Sequence, residues 1–213
     1  RRQRQMCIRD RLIGGTTTYI EMLAPAGSDD LMDAWHLWTG MAEGNSACDY
    51  SFHIGVTAWN DSTEGYLREL VAGGMTSFKV FLAYKGAFGI EDAALFKTLT
   101  LAKELGVVVT AHCENAELVS QLQAKLLSEG KTGPEWHEPS RPEQVEADGT
   151  AHFATFLEMT GAEGYVVHLS NAKALNAALD AKARGVNLHI ESVIPPFVLD
   201  KTFAERPGVE GAK

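Results

Sequence analysis

Three residues able to do chemistry stand in or at the ends of apolar runs. Lys79 lies inside Met75-Thr-Ser-Phe-Lys-Val-Phe-Leu-Ala-Tyr84, His112 ends Gly106-Val-Val-Val-Thr-Ala-His112, and His168 ends Tyr165-Val-Val-His168. An ammonium buried in a strand costs several kcal/mol unless it is neutralised or paired. Imidazole is a good ligand for zinc and related transition metals. A lysine ammonium cannot ligate a cation. A lysine that has captured carbon dioxide can, because its carbamate is a carboxylate mimic able to bridge two ions, and the carbamate also removes the cost of burying Lys79.

Taken singly, each residue also has a plainer reading. A strand histidine can be a hydrogen-bonded core residue. Lys79 could reach solvent along its stem, or pair with Glu114 or Glu191. Cys113 reads as a small filler beside His112, and Cys48 as core. His189, two residues before Glu191, fits ordinary strand alternation, while His36 and His152 sit in helical patterns and receive no role.

The elements that must position these residues alternate in type. Strand-like runs are Gly14–Ile20, Tyr50–Thr57, the run around Lys79, Val107–Val109, Tyr165–Leu169 and Val186–Ile190. Helical periodicity marks Asp61–Val71, Glu91–Leu105, Ala116–Glu129, Ala151–Met159 and Ala172–Arg184, each closing on glycine. Strand–helix units of this size imply a parallel α/β sheet with right-handed crossovers. A doubly wound sheet and a (β/α)8 barrel both fit, and six strands fall short of a closed barrel. In either fold ligands bind beyond the carboxyl ends of the strands, where Lys79, His112 and His168 are joined by His53, Tyr84, Glu114, Ser170 and Glu191. Lys131–Gly149, with three prolines and five acidic residues, is too long for an ordinary connection. It reads as a structural excursion or a substrate-side loop.

Composition narrows the class. With 213 residues, 45% hydrophobic and 22% charged, the chain is of the size and makeup of one ordinary globular domain. The net charge of -9 argues against nucleic acid as a partner. No run approaches the roughly 18 apolar residues of a membrane helix. Three widely spaced cysteines form no disulfide framework, which points to a reducing cytoplasm. Residues 1–11 hold five arginines against one aspartate and share neither period; they read as a non-native leader or, less simply, as a basic arm contacting a partner, with residues 12–213 as the barrel domain. No Gly-x-Ser-x-Gly elbow, P-loop or dinucleotide glycine pattern occurs.

Several stretches taken together resemble the cyclic amidohydrolases of the hydantoinase/dihydropyrimidinase family. They are Gly14-Gly-Thr-Thr-Thr, Ser77-Phe-Lys-Val-Phe-Leu-Ala-Tyr-Lys85, Ala102-Lys-Glu-Leu-Gly106, Ala111-His-Cys-Glu-Asn115, Arg141-Pro, Val166-Val-His-Leu-Ser170, Leu199-Asp200 and Gly211-Ala-Lys213. The resemblance implies a metal-dependent (β/α)8 TIM-type barrel of which about six of eight units are present. It implies Lys79 as a carboxylated lysine bridging two divalent ions, zinc by expectation, with His112 and His168 on the second ion. It further implies Tyr84 as hydrogen-bond donor to the oxyanion formed from the amide carbonyl, and Glu114 and Ser170 as supports behind the ligands. The implied reaction is hydrolytic opening of a cyclic amide or ureide ring, in a cytoplasmic parent that assembles as a homotetramer.

Two departures bear on this. The family's His-x-His pair and its catalytic aspartate fall outside the matched region, so the chain is expected to hold half of the site and to be inactive alone. Glu191-Ser-Val-Ile-Pro-Pro-Phe197 replaces the family's usual Glu-Thr-Cys-Pro-Gln-Tyr, which leaves the ring open, allantoin included. The alternative class is the non-catalytic relatives of dihydropyrimidinase, binding proteins that have lost ligands. The presence of Lys79, His112 and His168 favours the enzyme.

Overall fold

The computed structural model describes residues 12–26, 29–206 and 210. The basic segment 1–11 and the Gly211-Ala-Lys213 match lie outside the described residues. Six strands form one sheet: β1 (Thr18–Leu23), β2 (Asp49–Gly55), β3 (Ser77–Phe81), β4 (Val108–His112), β5 (Gly164–Val166) and β6 (Leu188–Ile190). Between them run α1 (Leu31–Ala42), α2 (Thr63–Ala72), α3 (Asp92–Leu105), α4 (Ala116–Ser128), a 3-10 turn (Pro134–Trp136), α5 (His137–Ser140), α6 (Glu143–Thr160) and α7 (Ala172–Ala183). A short α8 (Pro195–Val198) follows β6. No helix among the described residues is long and apolar enough to cross a membrane.

Every neighbouring pair of strands is parallel, and the spatial order is β1-β2-β3-β4-β5-β6. This order decides between the two expected architectures. A doubly wound sheet reverses its strand order at a switch point. With sequential order and right-handed crossovers, every connecting helix falls on the same side of the sheet. The sheet has no such reversal, so it is a sequentially ordered parallel sheet and not a doubly wound one.

The register assigns residues to the two faces. Phe52, Ile54, Phe78, Val80, Val109, Ala111, Val166 and Leu188 alternate along the strands and are buried with Leu67, Leu95, Leu99, Phe153, Leu157 and Ala178 from the helices. Burying a side chain of this kind contributes about 1.5–3 kcal/mol. On the opposite face Gly55, Lys79 and Thr110 lie side by side on β2, β3 and β4, and Tyr165 on β5 continues the row.

Some boundaries differ from those expected. The first strand begins at Thr18 and not at Gly14, which lies in a turn. A whole helix, α1, occupies a region where only His36 stood in a helical pattern; Asp30 caps it by accepting from the amides of Met32 and Asp33. The helix expected at Ala151–Met159 starts two turns earlier, at Glu143. Pro142 stands at its N-cap, where a missing N–H removes no helical bond. Half of the irregular segment 131–149 is therefore helix. The expected glycine stops hold: Gly106 and Gly161 cap α3 and α6 in the left-handed conformation. Cys113 is buried as expected, whereas Cys48 is only partly buried.

Candidate active site

Lys79 is 0% exposed, and its Nζ has no hydrogen-bond partner among the described residues. It stands 4.9 Å from the centroid of the Phe81 ring. Burial pushes its pKa down to about 8, against weaker opposing pulls from Cys113 and Glu191. A buried amine with no partner favours its neutral form, and only the neutral amine has the lone pair that attacks carbon dioxide.

His112 closes β4 and reaches two neighbours. Its Nδ1 lies 3.0 Å from Nε2 of His168. Its Nε2 lies 2.7 Å from Oε2 of Glu114, which also accepts from Arg141 Nη1 at 2.6 Å. Burial alone would raise the Glu114 carboxyl, but the hydrogen bonds and charges of His112 and Arg141 outweigh it and hold the pKa below the ordinary value. An ionised Glu114 accepts the Nε2–H proton of His112, so Nδ1 turns a lone pair toward His168. The His168 pKa is lowered by burial first, then by the charges of His112 and Lys79.

Two backbone conformations mark the same place. Tyr84 (φ 62°) and His168 (φ 45°) are the non-glycine residues with positive φ among the described residues. Such conformations are costly for bulky side chains and cluster at functional sites. The Tyr84 carbonyl accepts from the amides of Ala87 and Gly89, which closes the turn after β3. Its ring lies 5.2 Å from the His112 ring and 5.3 Å from the Arg141 guanidinium carbon.

The structure thus brings together Lys79, Tyr84, His112, Glu114 and His168. Ser170 turns away: its amide and hydroxyl both donate to Glu146. Burial pushes the Glu146 carboxyl up, with the Ser170 hydrogen bonds opposing. Two residues expected at the strand ends lie on the same face in their own contacts. His53 bonds Ser77 Oγ at 2.6 Å, and Glu191 accepts from the Tyr165 hydroxyl at 3.0 Å. Burial, with the charge of Lys79 adding to it, lowers the His53 pKa. His189 pairs with Glu163 at 2.8 Å on the surface.

Arg141 and Glu146 are the participants that residue patterning missed. Arg141 stood only in an Arg-Pro match, and Glu146 only among the acidic residues of the irregular segment. A cleft of about 190 Å³ beside the cluster includes Glu114, Asn115, Asp148 and His152 but none of Lys79, His112 and His168. Among the described residues no three His, Cys, Asp or Glu side chains converge to hold an ion by themselves.

No protein-family model matches the chain. Curated relatives do. The D-hydantoinase of Geobacillus stearothermophilus is 37% identical over 201 residues, which are 94% of this chain and 43% of that protein. The dihydropyrimidinase of Rattus norvegicus is 34% identical over 192 residues, 90% of this chain and 37% of that protein. Among solved structures, a D-hydantoinase from Thermus sp. superposes with a TM-score of 0.92 at 68% identity, covering 94% of this chain and 44% of its own. The chain thus spans less than half the length of the relatives it matches. Shared sequence across nearly its whole length and the same arrangement of strands place the chain in the hydantoinase/dihydropyrimidinase family of cyclic amidohydrolases.

Proposed function

We propose that, in a polypeptide of the relatives' length, this chain forms six units of a (β/α)8 barrel that opens cyclic amide or ureide rings of the dihydropyrimidine or hydantoin type by hydrolysis. The observation that carries this reading is the buried Nζ of Lys79, without a hydrogen-bond partner among the described residues, beside the His112–His168 pair. The donor set fits a metal centre on three counts. Two imidazole nitrogens on one tetrahedral zinc stand about 3.3 Å apart, given Zn–N bonds of about 2.0 Å; His112 Nδ1 and His168 Nε2 stand at 3.0 Å. His112 gives its other ring nitrogen to a carboxylate, as metal-binding histidines commonly do. Lys79, once carboxylated, would supply an anionic ligand where an ammonium is unfavourable.

Lys79 would bridge two ions, zinc by chemistry, with His112 and His168 on one of them. Bound there, the ions would supply Lewis-acid polarisation of the scissile carbonyl and a water acidified to near-neutral pH. This chain's residues do the rest. Glu114, held ionised by Arg141, keeps the His112 proton on Nε2. The strained turn at Tyr84 presents its phenol toward the same face, where it would donate to the oxygen that gains charge as the ring amide is attacked. Ser170 supports the turn carrying His168. The remaining ligands and the group that protonates the leaving nitrogen would come from the part of the relatives' length that this chain does not span.

Dihydrouracil and 5-substituted hydantoins test the reading in a polypeptide of that length. Ring opening should vanish on chelation and on Lys79→Ala, and return with zinc only in the wild type. The 213-residue chain alone should show no turnover. Full activity after exhaustive metal removal, or turnover by the short chain, would defeat the proposal.

A further inference from the structure

His112 closes β4 and His168 stands in the turn after β5, 56 residues further on, yet their ring nitrogens meet at 3.0 Å. The turns that follow those strands share one neighbour, the start of α6. Toward the turn after β4, Arg141 donates to Glu114, the Val145 carbonyl accepts from the Asn115 amide at 3.1 Å, and Asp148 accepts from Asn115 Nδ2 at 2.6 Å. Gly149 presses on the same turn: a Cβ there would lie 2.6 Å from Cys113 C and 2.7 Å from Glu114 N. Toward the turn after β5, the Glu146 carboxylate accepts from the Ser170 amide at 3.1 Å, from Ser170 Oγ at 2.7 Å and from Asn171 Nδ2. Asn171 in turn caps α7 through the Ala174 amide.

We propose that the first two turns of α6, with the Arg141-Pro142 step that leads into them, are a clasp that sets His112 against His168, with Glu146 and Arg141 as positioning residues. One rigid helix end gripping both turns fixes the distance between them. The turn after β5 needs such a hold, because His168 sits there in a left-handed conformation that a histidine does not favour. The inference rests on the reading of this histidine pair as part of the active site, and it assigns the segment 131–149 a structural task at that site.

Its test needs neither metal nor turnover. In the 213-residue chain, ring-to-ring NOEs and long-range 15N shifts of His112 and His168 report their contact directly. Glu146→Ala should lose the NOE, and Glu146→Gln, whose amide oxygen still accepts from Ser170, should keep it. Asp30→Ala, which removes the remote cap of α1, should lower the unfolding midpoint and leave the NOE intact. If Glu146→Ala lowers the midpoint but keeps the histidine contact, Glu146 merely anchors α7 and the clasp is wrong. Should Glu146→Ala not fold, Ser170→Ala replaces it: a moved His168 ring signal supports the clasp, and an unmoved one overturns it. Zinc binding gives a second measurement, expected about tenfold weaker in Glu146→Ala. A wild-type chain that binds no zinc would count against the metal reading alone, with the NOE still deciding the clasp.

Discussion

Replacing Lys79 by methionine should stabilise the unmodified chain at neutral pH. Methionine keeps the length of the side chain and removes its ionisable end. The lysine amine has its pKa near 8 in the folded protein against 10.5 ordinarily. Below pH 8 both folded and unfolded chains are protonated, and the folded one bears the full penalty of a buried ammonium. Between pH 8 and 10.5 only the unfolded chain stays protonated, so stability rises with pH; above 10.5 both forms are neutral and the penalty is gone. At about 1.4 kcal/mol per pH unit, the separation corresponds to about 3 kcal/mol. Lys79→Met should therefore exceed the wild type by about 3 kcal/mol at pH 7, with the gap closing toward pH 10.5. Urea unfolding followed by circular dichroism in carbon dioxide-free buffer at several pH values measures this. Other groups that titrate in the window cancel in the difference. A gap independent of pH, or a less stable variant at pH 7, would mean that Nζ is solvated or paired, and the argument from its isolation would collapse.

Arg141→Met should cost about 3 kcal/mol, because it strips one partner from an ion pair whose side chains are only 13% and 14% exposed; a loss below about 1 kcal/mol in chemical denaturation would class it with surface pairs. Gly149→Ala sets two effects against each other. The helix gains up to about 1 kcal/mol of propensity, while forcing a Cβ against backbone atoms costs about 1–3 kcal/mol. A net drop in thermal midpoint is expected, and a rise would contradict the close approach to Cys113. Tyr84→Phe, made in a polypeptide of the relatives' length, should lower kcat by about 10²–10³ with little change in fold; an unchanged kcat would remove the phenol from the reaction.

The strands and most helices were legible in the chain because their apolar residues recur with the right period. Lys79 was legible for the opposite reason, as a charge where the pattern calls for an apolar side chain. The fold class was only half legible. Doubly wound sheets and barrels are built from the same strand–helix units, and what separates them is strand order, a property of the assembled sheet. The supports were hidden. Arg141 meets Glu114 across 27 residues and Ser170 meets Glu146 across 24, with no periodicity to announce either pairing. The start of α6 was also masked, since two prolines and a run of acids read as loop until Val145, Gly149 and Phe153 are seen to be buried.

By itself the sequence determined which residues carry reactive groups and that these lie in or just after successive strands, since local periodicity and turn chemistry act over a few residues. It determined family membership for the same reason, through motifs contiguous in the chain. Only the tertiary structure decided that Lys79 Nζ has no hydrogen-bond partner among the described residues, that Glu114 bonds His112 and Arg141 together, and that Asn115 and Ser170, which follow the two histidines, both bond to the start of α6. Those facts depend on distances between segments far apart in the chain, and such distances are set by packing over the whole sheet.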